Sequence, residues 1–593
     1  MSTITKSNRL RDIRRAFIAG LFYSVFFVLA FPPFSWWGMS FLIPIPLFML
    51  VRATPLKPWH AGILAALGAL PSWGYVHLWV ADVSQAGFIP LVIMMAGYTF
   101  LFVWLATRVI RCINKDWIVL PLIWVGVEFF RGSILWGGYP WYLTAHPLID
   151  SPFGILAMPA SIFGVYFVSF LCALYSILLI KAVFSPRRED HLRFGIQAGT
   201  VFSLWIALGF LLMPSGNPNA QSIRVGVIQP NIPQDNRTDW TVRQRVRDWL
   251  NLRDLTIAAV NDPKNPDSLD LIVWPEGFVP GWTLDPVSLA AEREENLAWT
   301  LKPRFEEDVP NLTGLPSKIP ATMVVDEMLI MQQALNIPMI VGSVAFDNLQ
   351  IIDTDDEGIV YDREAMYNSA FVINKGQPQP VWYDKMHLTP FGEVMPYISS
   401  WPWLESQLLS LGAEGMAFAL DPGKESRVLS IPVQRESDES IVQIATPICF
   451  EATISHVCRD LVFQNGKRRA SVLINLTNDG WFGTSDAGRR THTLAARWRS
   501  IELATPMIRC ANTGFSSVIG TNGQIVNQTI NPLELNDQHD QGYPREGHLI
   551  GDIDLAQGVT FYAKIGDFFG WLCFGSMLAL LFEPLVVKHP QST

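Results

Sequence analysis

Three stretches of the sequence place reactive side chains directly after apolar, strand-like runs. A strand end is rigid, and catalysis needs groups whose positions are fixed before the substrate binds. Cysteine, lysine and glutamate in separate loops form a set that acyl-transfer chemistry can use. The three stretches are Ile441–Glu451 with Cys449, Asp270–Glu276 with Glu276, and Tyr383–Glu393 with Lys385 and Glu393.

Each of these residue types has a more ordinary explanation when it is taken alone. A single cysteine is usually a small buried hydrophobe, and a single glutamate or lysine usually lies in solvent. A free thiol titrates near about 8.5, so a nucleophilic cysteine also needs a base to take its proton at neutral pH. The hypothesis of a catalytic site therefore depends on the combination and not on any one residue.

The three stretches resemble the catalytic signatures of the nitrilase superfamily. The matching segments are Trp274-Pro275-Glu276, Asp384-Lys385 with the loop to Glu393, and Ile448-Cys449-Phe450-Glu451. The full segment YDKMHLTPFGE, together with TNDGWFG (Thr477–Gly483) and ARWRSIEL (Ala496–Leu503), is similar to one branch, the apolipoprotein N-acyltransferases of bacterial inner membranes. Three motifs in order are a specific signal, whereas any one alone would be weak.

The resemblance implies a role for each of the three central residues. Cys449 would be the nucleophile, and Glu276 would be the base that takes the thiol proton. Lys385 would offset the negative charge, hold the thiolate and stabilise the tetrahedral oxyanion.

Five further residues receive secondary roles from the same resemblance. Glu393, Glu451 and Asn368 would support the site, although a purely structural hydrogen-bonding role is an open alternative for the two glutamates. Trp240 would help to hold the substrate, with a core aromatic at a helix start as the alternative. Phe450 stands where the family often has tyrosine, so a hydroxyl is missing beside the nucleophile and substrate positioning is affected.

The composition indicates a membrane protein. Of the 593 residues half are hydrophobic, only 16% are charged and 22 are tryptophan, which is too apolar for an ordinary soluble protein. The net charge of -9 argues against nucleic acid as a partner. The spacing of the six cysteines suggests neither a zinc site nor a disulfide framework, so no metal and no cofactor are expected. Cys458 and Cys510 could still pair in an oxidising compartment.

Eight apolar stretches are candidate membrane spans, several of them short or interrupted by proline and glycine. They are Ala16–Phe31, Trp36–Val51, Ala61–Val80, Gly87–Ile110, Trp117–Phe130, Leu156–Phe184, Phe194–Met213 and Phe568–Val587. Glu128 and Arg131 lie at the end of the fifth, where charges are costly and usually paired or functional. A structural ion pair and a role near a lipid headgroup are equally acceptable explanations for them.

The distribution of basic residues predicts the orientation of these spans. Lysine and arginine concentrate before the first span and in alternate connections, around Arg52, Arg108–Lys115 and Lys181–Arg193. Because such residues favour the cytoplasmic side, both termini are predicted to be cytoplasmic and the large region between the seventh and eighth spans to face the periplasm.

That large region alternates strand-like and helix-like segments, which indicates an α/β layered domain. The predicted strands are Arg224–Gln229, Leu269–Trp274, Met339–Ser343, Ala370–Asn374, Val442–Ile448 and Ser471–Leu476, and the predicted helices are Val242–Val260, Met323–Leu335 and His492–Leu503. The resemblance sharpens this class to an αββα sandwich. The predicted domains are a membrane domain (1–215), a nitrilase-like catalytic domain (222–556), and an eighth span with a cytoplasmic tail (561–593).

The resemblance implies an acyl transfer through a thioester on Cys449. The donor would be a phospholipid of the phosphatidylethanolamine kind, and the acceptor the α-amine of the diacylglyceryl-modified first cysteine of an apolipoprotein. The protein is expected to act as a monomer in the inner membrane. A membrane-anchored amidase or nitrilase that uses water is the main alternative, since both reactions share the acyl-enzyme. A non-catalytic scaffold is a third.

Overall fold

The computed structural model describes residues 2–113, 115–215, 220–232, 241–263, 267–277, 279–280, 283–295, 297–300, 318–354, 358–394, 420–434, 439–483, 485–528 and 546–586. Its helices of eight or more residues, in chain order, are α1 (Ser2–Ala30), α2 (Ile45–Ala53), α3 (Pro58–Val76), α4 (Gln85–Ile110), α5 (Asp116–Phe129), α6 (Val165–Phe184), α7 (Arg188–Leu211), α8 (Val242–Val260), α9 (Pro286–Glu294), α10 (Met323–Leu335), α11 (Ser455–Val462), α12 (Asp486–Leu503) and α13 (Phe568–Val586).

The strands are short and, except for β1, lie between α8 and α13. In chain order they are β1 (Ser222–Gln229), β2 (Leu271–Val273), β3 (Ala298–Thr300), β4 (Lys318–Pro320), β5 (Met339–Asp347), β6 (Gln350–Thr354), β7 (Gly358–Asp362), β8 (Ala365–Asn374), β9 (Gln377–Pro378), β10 (Tyr383–Asp384), β11 (Leu429–Gln434), β12 (Glu439–Ala445), β13 (Phe463–Gln464), β14 (Lys467–Arg468), β15 (Val472–Thr477), β16 (Met507–Ala511), β17 (Ser517–Ile519), β18 (Ile525–Asn527) and β19 (Gly547–Asp554).

Five of the described helices are long and apolar enough to cross a membrane, which is fewer than the eight predicted spans. They are Asn8–Ala30, Gly87–Ile110, Asp116–Gly137, Val165–Phe184 and Arg188–Leu211. Two other predicted spans fall on shorter apolar helices, Trp37–Ala53 and Phe568–Phe582. The remaining one falls on α3, where His60 and the internal Pro71 make the segment less apolar. These helices support a membrane domain: among the described residues, five of the eight predicted spans have the length and composition of a membrane-crossing helix, and the other three stay predictions.

Gly164 explains why the sixth predicted span is shorter than expected. The prediction ran from Leu156 to Phe184, whereas the continuous helix α6 begins at Val165. Gly164 has a φ of 79°, which a residue with a side chain rarely adopts and which separates α6 from the short helix Ala160–Phe163.

Glu128 and Arg131 brace one loop of the helix bundle. The Glu128 Oε1 atom accepts hydrogen bonds from the backbone N–H of Thr144 at 2.8 Å and from its hydroxyl at 2.6 Å. Arg131 donates to the carbonyl oxygens of Trp141 and Tyr142 at 2.5 and 3.1 Å. Both charged groups therefore hold backbone of the segment 141–144, which is a structural role other than the predicted ion pair, and the role near a lipid headgroup stays a prediction.

Two mixed β-sheets form the core of the second region. The first has the order β10-β8-β5-β2-β1-β19, with β9 beside β8, and the second has the order β11-β12-β15-β16-β17-β18. On one face of the first sheet, Ile272 and Val341 pack with α8 and α10 through residues such as Trp249 and Met328. Its other face packs against the second sheet, so the order of the layers is helix, sheet, sheet and helix. All six predicted strands are present, as β1, β2, β5, β8, β12 and β15, and the other strands, including β16 and β19, were not foreseen.

The strand before the candidate nucleophile ends earlier than predicted. The prediction extended it to Ile448, whereas β12 ends at Ala445. Pro447 has no N–H to donate to a ladder, and only an isolated bridge joins Ile448 to Leu476. The chain then enters a 3-10 turn at Cys449–Thr453, here called the cysteine turn.

All six cysteines are free. Cys458 lies near the backbone carbonyl of Glu451, at 3.3 Å, and Cys510 near those of Val273 and Ile228. The pairing that the sequence left open is therefore not made.

Candidate active site

Lys385 lies at the centre of the site, directly after β10. It is fully buried, and its Nζ atom is 2.6 Å from Glu393 Oε2 and 3.6 Å from Glu276 Oε1. The segment Lys385–Glu393, here called the lysine loop, is closed by the backbone N–H of Thr389, which donates to Glu393 Oε2 at 2.8 Å. A buried cation persists only with partners of opposite charge, and two carboxylates supply them here.

Glu276 follows β2 and is held from two sides. Its Oε1 accepts from the Asn368 side chain at 2.7 Å, and its Oε2 accepts from the backbone N–H of Asn478 at 2.9 Å. The backbone around Glu276 also passes against Gly342 of β5. A Cβ at Gly342 would lie 2.8 Å from the Cα of Glu276, so glycine is required for this approach. The carboxylate is fixed by backbone packing as well as by hydrogen bonds.

Cys449 opens the cysteine turn in a left-handed backbone conformation, with a φ of 52°. For a residue with a Cβ this conformation costs about 1–2 kcal/mol, and such strain persists where surrounding contacts enforce it. The Asn475 side chain supplies two of these contacts, because its Nδ2 donates to the carbonyl oxygens of Pro447 at 2.9 Å and Cys449 at 3.3 Å. The side chain of Cys449 is 9% exposed.

The charges of these groups act on one another. Burial raises the pKa of the Cys449 thiol, and the carboxylates of Glu276 and Glu393 raise it further, while Lys385 lowers it. Burial alone would lower the pKa of Lys385, but Glu393 and Glu276 outweigh it and the pKa is raised. Burial acts to raise the pKa of Glu393, and the Lys385 charge overcomes it, so that this pKa is lowered. At rest the site therefore holds a thiol, an ammonium and, at Glu393, a carboxylate.

Glu451 joins the lysine loop to the cysteine turn. Its Oε1 accepts from the Tyr383 hydroxyl at 2.9 Å and from the backbone N–H groups of Met386 and His387 at 2.8 and 2.9 Å. Its Oε2 accepts from the backbone N–H of Ile448 at 2.8 Å. Burial raises the pKa of Glu451 to about 7, although these hydrogen bonds act in the other direction. This carboxylate fixes the distance between the two segments that carry the lysine and the cysteine.

The lysine loop also touches the helix bundle. The ring of Trp136, after α5, lies 5.4 Å from that of Phe391, and Gly137 approaches His387. His387 stacks on Phe450 with ring centroids 6.0 Å apart. Burial lowers the pKa of His387 to about 4, with smaller effects from neighbouring positive charges, so this ring is neutral at neutral pH. The candidate site thus lies where the two regions of the chain meet.

The structure brings together most of the residues that the sequence singled out. Glu276, Lys385, Glu393 and Asn368 form one hydrogen-bonded set, to which Cys449 is electrostatically coupled. Phe450 and Glu451 belong to the cysteine turn and contact the lysine loop. Trp240 lies outside the described residues.

Two asparagines at the site were not foreseen from the sequence. Asn478 supports Glu276 through its backbone, and Asn475 holds the cysteine turn. Asn478 belongs to the quoted segment TNDGWFG, so that motif was the signal that could have identified it. Among the residues that the structure describes, no group of three or more histidine, cysteine or acidic side chains is arranged to hold a metal ion.

Comparisons with known proteins cover both regions. Residues 23–178 match the apolipoprotein N-acyltransferase N-terminal domain, and residues 224–557 match the carbon-nitrogen hydrolase family. An apolipoprotein N-acyltransferase of Geobacter metallireducens is 26% identical over 97% of both chains. Apolipoprotein N-acyltransferase 1 of Treponema denticola is 26% identical over 90% of this chain and 89% of its own.

The chain is also similar to a solved structure. An amidase of Nesterenkonia AN1 from the nitrilase superfamily covers 59% of this chain and 95% of its own, with 13% identity and a TM-score of 0.32. The match of residues 224–557 extends over more than half of the sequence. With its buried cysteine, lysine and glutamates after the strands of two mixed sheets, the chain belongs to the carbon-nitrogen hydrolase family.

Proposed function

We propose that this protein is an apolipoprotein N-acyltransferase, an enzyme that transfers an acyl chain from a phospholipid to the α-amine of a diacylglyceryl-modified amino-terminal cysteine. The observation that carries the proposal is that the lysine loop, which begins at Lys385, contacts Trp136 and Gly137 at the end of an apolar helix. Relatives that bear this name align along nearly the whole chain, which supports it. Because both substrates are lipids, a site at the bilayer surface fits them physically.

In the first half-reaction Glu276 takes the proton of the Cys449 thiol, and the thiolate attacks the ester carbonyl of the phospholipid. The Lys385 ammonium stabilises the thiolate and then the oxyanion of the tetrahedral intermediate. When the ester C–O bond breaks, Glu276 returns its proton to the departing alkoxide, which leaves as a lysophospholipid. The site keeps the same net charge throughout, because the proton only moves between groups inside it.

In the second half-reaction the amine of the lipoprotein attacks the thioester. Glu276 accepts a proton from the amine, the C–S bond breaks, and the proton passes to the Cys449 sulfur. Glu393 is the weaker candidate for the base, because it is held by Lys385 at 2.6 Å and its pKa is lowered by that contact. The reaction needs no cofactor.

The remaining assignments belong to the same proposal. Glu393, Glu451 and Asn368 support the three central residues, and Trp240 and Phe450 contact the substrate. The donor is a phosphatidylethanolamine-like phospholipid, and the enzyme acts as a monomer. It lies in the bacterial inner membrane with the domain of residues 222–556 on the periplasmic side. The amino terminus, which begins the membrane domain (1–215), and the carboxyl terminus, which ends the last segment (561–593), are both in the cytoplasm.

The intact mass of the purified full-length protein tests this proposal. Incubation with phosphatidylethanolamine should add one acyl chain to Cys449, and a diacylated lipopeptide should then remove it while gaining an amide-linked chain. Cys449→Ala should abolish the adduct, and Cys112→Ala, which removes an exposed cysteine, should retain it. An adduct that persists in Cys449→Ala would refute the assignment of the nucleophile. Loss of the acyl chain to water with an unmodified lipopeptide would favour the membrane-anchored amidase or nitrilase instead.

A further inference from the structure

Helix α12 contains a buried ion pair that the reaction described above does not use. The Arg499 Nε atom lies 3.0 Å from Glu502 Oε2, and the two side chains are 1% and 0% exposed. Removing two charges from water costs several kcal/mol per ion, so such a pair needs further fixed partners to be tolerated. The partners of Arg499 and Glu502 lie in two different regions of the chain.

Arg499 holds the far end of the cysteine turn. Its Nη1 donates to the backbone carbonyl of Thr453 at 3.0 Å and also contacts the Ser455 hydroxyl. Thr453 is the last residue of the turn that Cys449 opens. Glu451 fixes the beginning of the same turn through Ile448, so the turn that carries the nucleophile is held at both ends by buried side chains.

Glu502 reaches into the helix bundle. Its Oε1 accepts the backbone N–H of Val165 at 2.8 Å, and Val165 is the first residue of α6. A helix start leaves its first N–H groups without an intrahelical acceptor, and a carboxylate from another region supplies one here. The contacts form an unbroken chain from the start of α6 through Glu502 and Arg499 to the carbonyl of Thr453.

Arg497, on the same helix, offers an internal comparison. It also joins α12 to the bundle side, with Nη1 at 2.6 Å from Asp150, and its Nε donates to the carbonyl oxygen of Gly523. None of its described contacts is made to the cysteine turn. Arg497 therefore only helps to hold the two regions of the chain together. Arg499 and Glu502 do this too, and they also link the helix bundle to the turn that carries the nucleophile.

We propose that Arg499 and Glu502 are positioning residues, which set the position of Cys449 relative to Lys385 from the first turn of α6. The inference rests on the proposed function, since it takes Cys449 to be the nucleophile. It assigns to the helix bundle a role beyond anchoring: part of the geometry of the site is imposed from outside the carbon-nitrogen hydrolase region. Neither residue touches the reacting atoms.

The test is the alkylation rate of Cys449 by iodoacetamide in the full-length protein, followed by peptide mass from pH 6 to 10. Arg499→Lys and Glu502→Gln should slow alkylation at pH 8 at least tenfold, because the thiolate is displaced from Lys385. The same variants should slow acyl-enzyme formation similarly, with the KM for phospholipid within twofold of the original. The matched control Arg497→Gln should leave both rates within twofold, although its thermal unfolding midpoint falls.

Val165→Pro is a second variant that changes no charge. Proline is well tolerated at the first position of a helix; here it removes the N–H that Glu502 accepts and replaces the buried valine side chain with an apolar ring. We expect a folded protein with slowed alkylation. Rates in Arg499→Lys, Glu502→Gln and Val165→Pro that match those of Arg497→Gln would overturn the proposal. Since alkylation requires no lipid, a wild-type protein that is alkylated but never acylated would count only against the proposed function.

Discussion

Replacing Glu451 with glutamine should weaken the connection between the lysine loop and the cysteine turn. The carboxylate accepts three hydrogen bonds on Oε1 and one on Oε2. A glutamine can keep its carbonyl oxygen in the first position, but its amide group then faces the N–H of Ile448, donor against donor. Loss of a buried hydrogen bond to a charged group costs about 1.5–3 kcal/mol. If this loss is fully expressed in the transition state, acyl-enzyme formation slows about 10- to 100-fold.

The same variant should change how stability depends on pH. Burial raises the pKa of Glu451 from 4.5 to about 7, so the protonated form is favoured in the folded state. Its contribution to stability is therefore complete below about pH 4.5 and is lost as the pH rises through 7. At about 1.4 kcal/mol per pKa unit, this loss is on the order of 3 kcal/mol. Glu451→Gln has no such titration, so its destabilisation should be largest at pH 5 and smallest at pH 8.

Two measurements check this prediction. The thermal unfolding midpoint in detergent is followed from pH 5 to 8, and the acyl-enzyme is followed by intact mass at pH 7. Glu364→Gln, which changes an exposed carboxylate, is the control and should match the original protein in both. The reasoning would be refuted if the thermal unfolding midpoint of Glu451→Gln depended on pH in the same way as that of the original protein. It would also be refuted if acylation in this variant were within twofold of the original.

Three further predictions concern the set around Lys385. Lys385→Met removes the positive charge that lowers the pKa of Cys449, so the pH profile of thiol alkylation should shift to higher pH; an unshifted profile would contradict this coupling. Gly342→Ala places a methyl group 2.5–2.8 Å from backbone atoms of residues 275–277, so Glu276 should be displaced. The free energy of unfolding, measured with a chemical denaturant, should fall by about 1–3 kcal/mol, and acylation should be at least tenfold slower. Asn368→Asp turns the 2.7 Å hydrogen bond to Glu276 into a contact between two carboxylates, and acyl-enzyme formation measured by intact mass should fall more than tenfold at pH 7.

Elements with strong local signals could be predicted closely from the sequence. Helix α8 has the predicted bounds Val242–Val260, because Thr241 and Gln244 form a capping box at its start. Helix α10 ends as predicted at Leu335, where Asn336 adopts a left-handed conformation. The predicted end of β12 was wrong: Pro447, which has no N–H to continue a ladder, is visible in the sequence and should have ended the predicted strand before Ile448.

The site could be predicted only in its residue types. Cys449, Lys385 and Glu276 carry their chemistry in short motifs, so each was identifiable locally. Their partners come from distant parts of the chain: Glu451 binds the lysine loop more than sixty residues earlier, and Glu502 binds Val165, 337 residues away. No local pattern encodes such pairings, because they follow from the packing of complete elements. Three of the predicted spans do not fall on long apolar helices for a similar reason, since the length and continuity of a helix do not follow from composition alone.

The pairing of β1 with β19 has a consequence for biosynthesis. These strands begin and end the two-sheet region and are hydrogen-bonded to each other in an antiparallel register from Ser222 to Gln229. While the ribosome is still making the intervening segments, β1 has an open edge on one side, which is a hazard for wrong pairing. The first sheet is completed only when β19 emerges, shortly before α13 is made. The first sheet therefore completes its folding at about the same stage of synthesis at which the last helix is made.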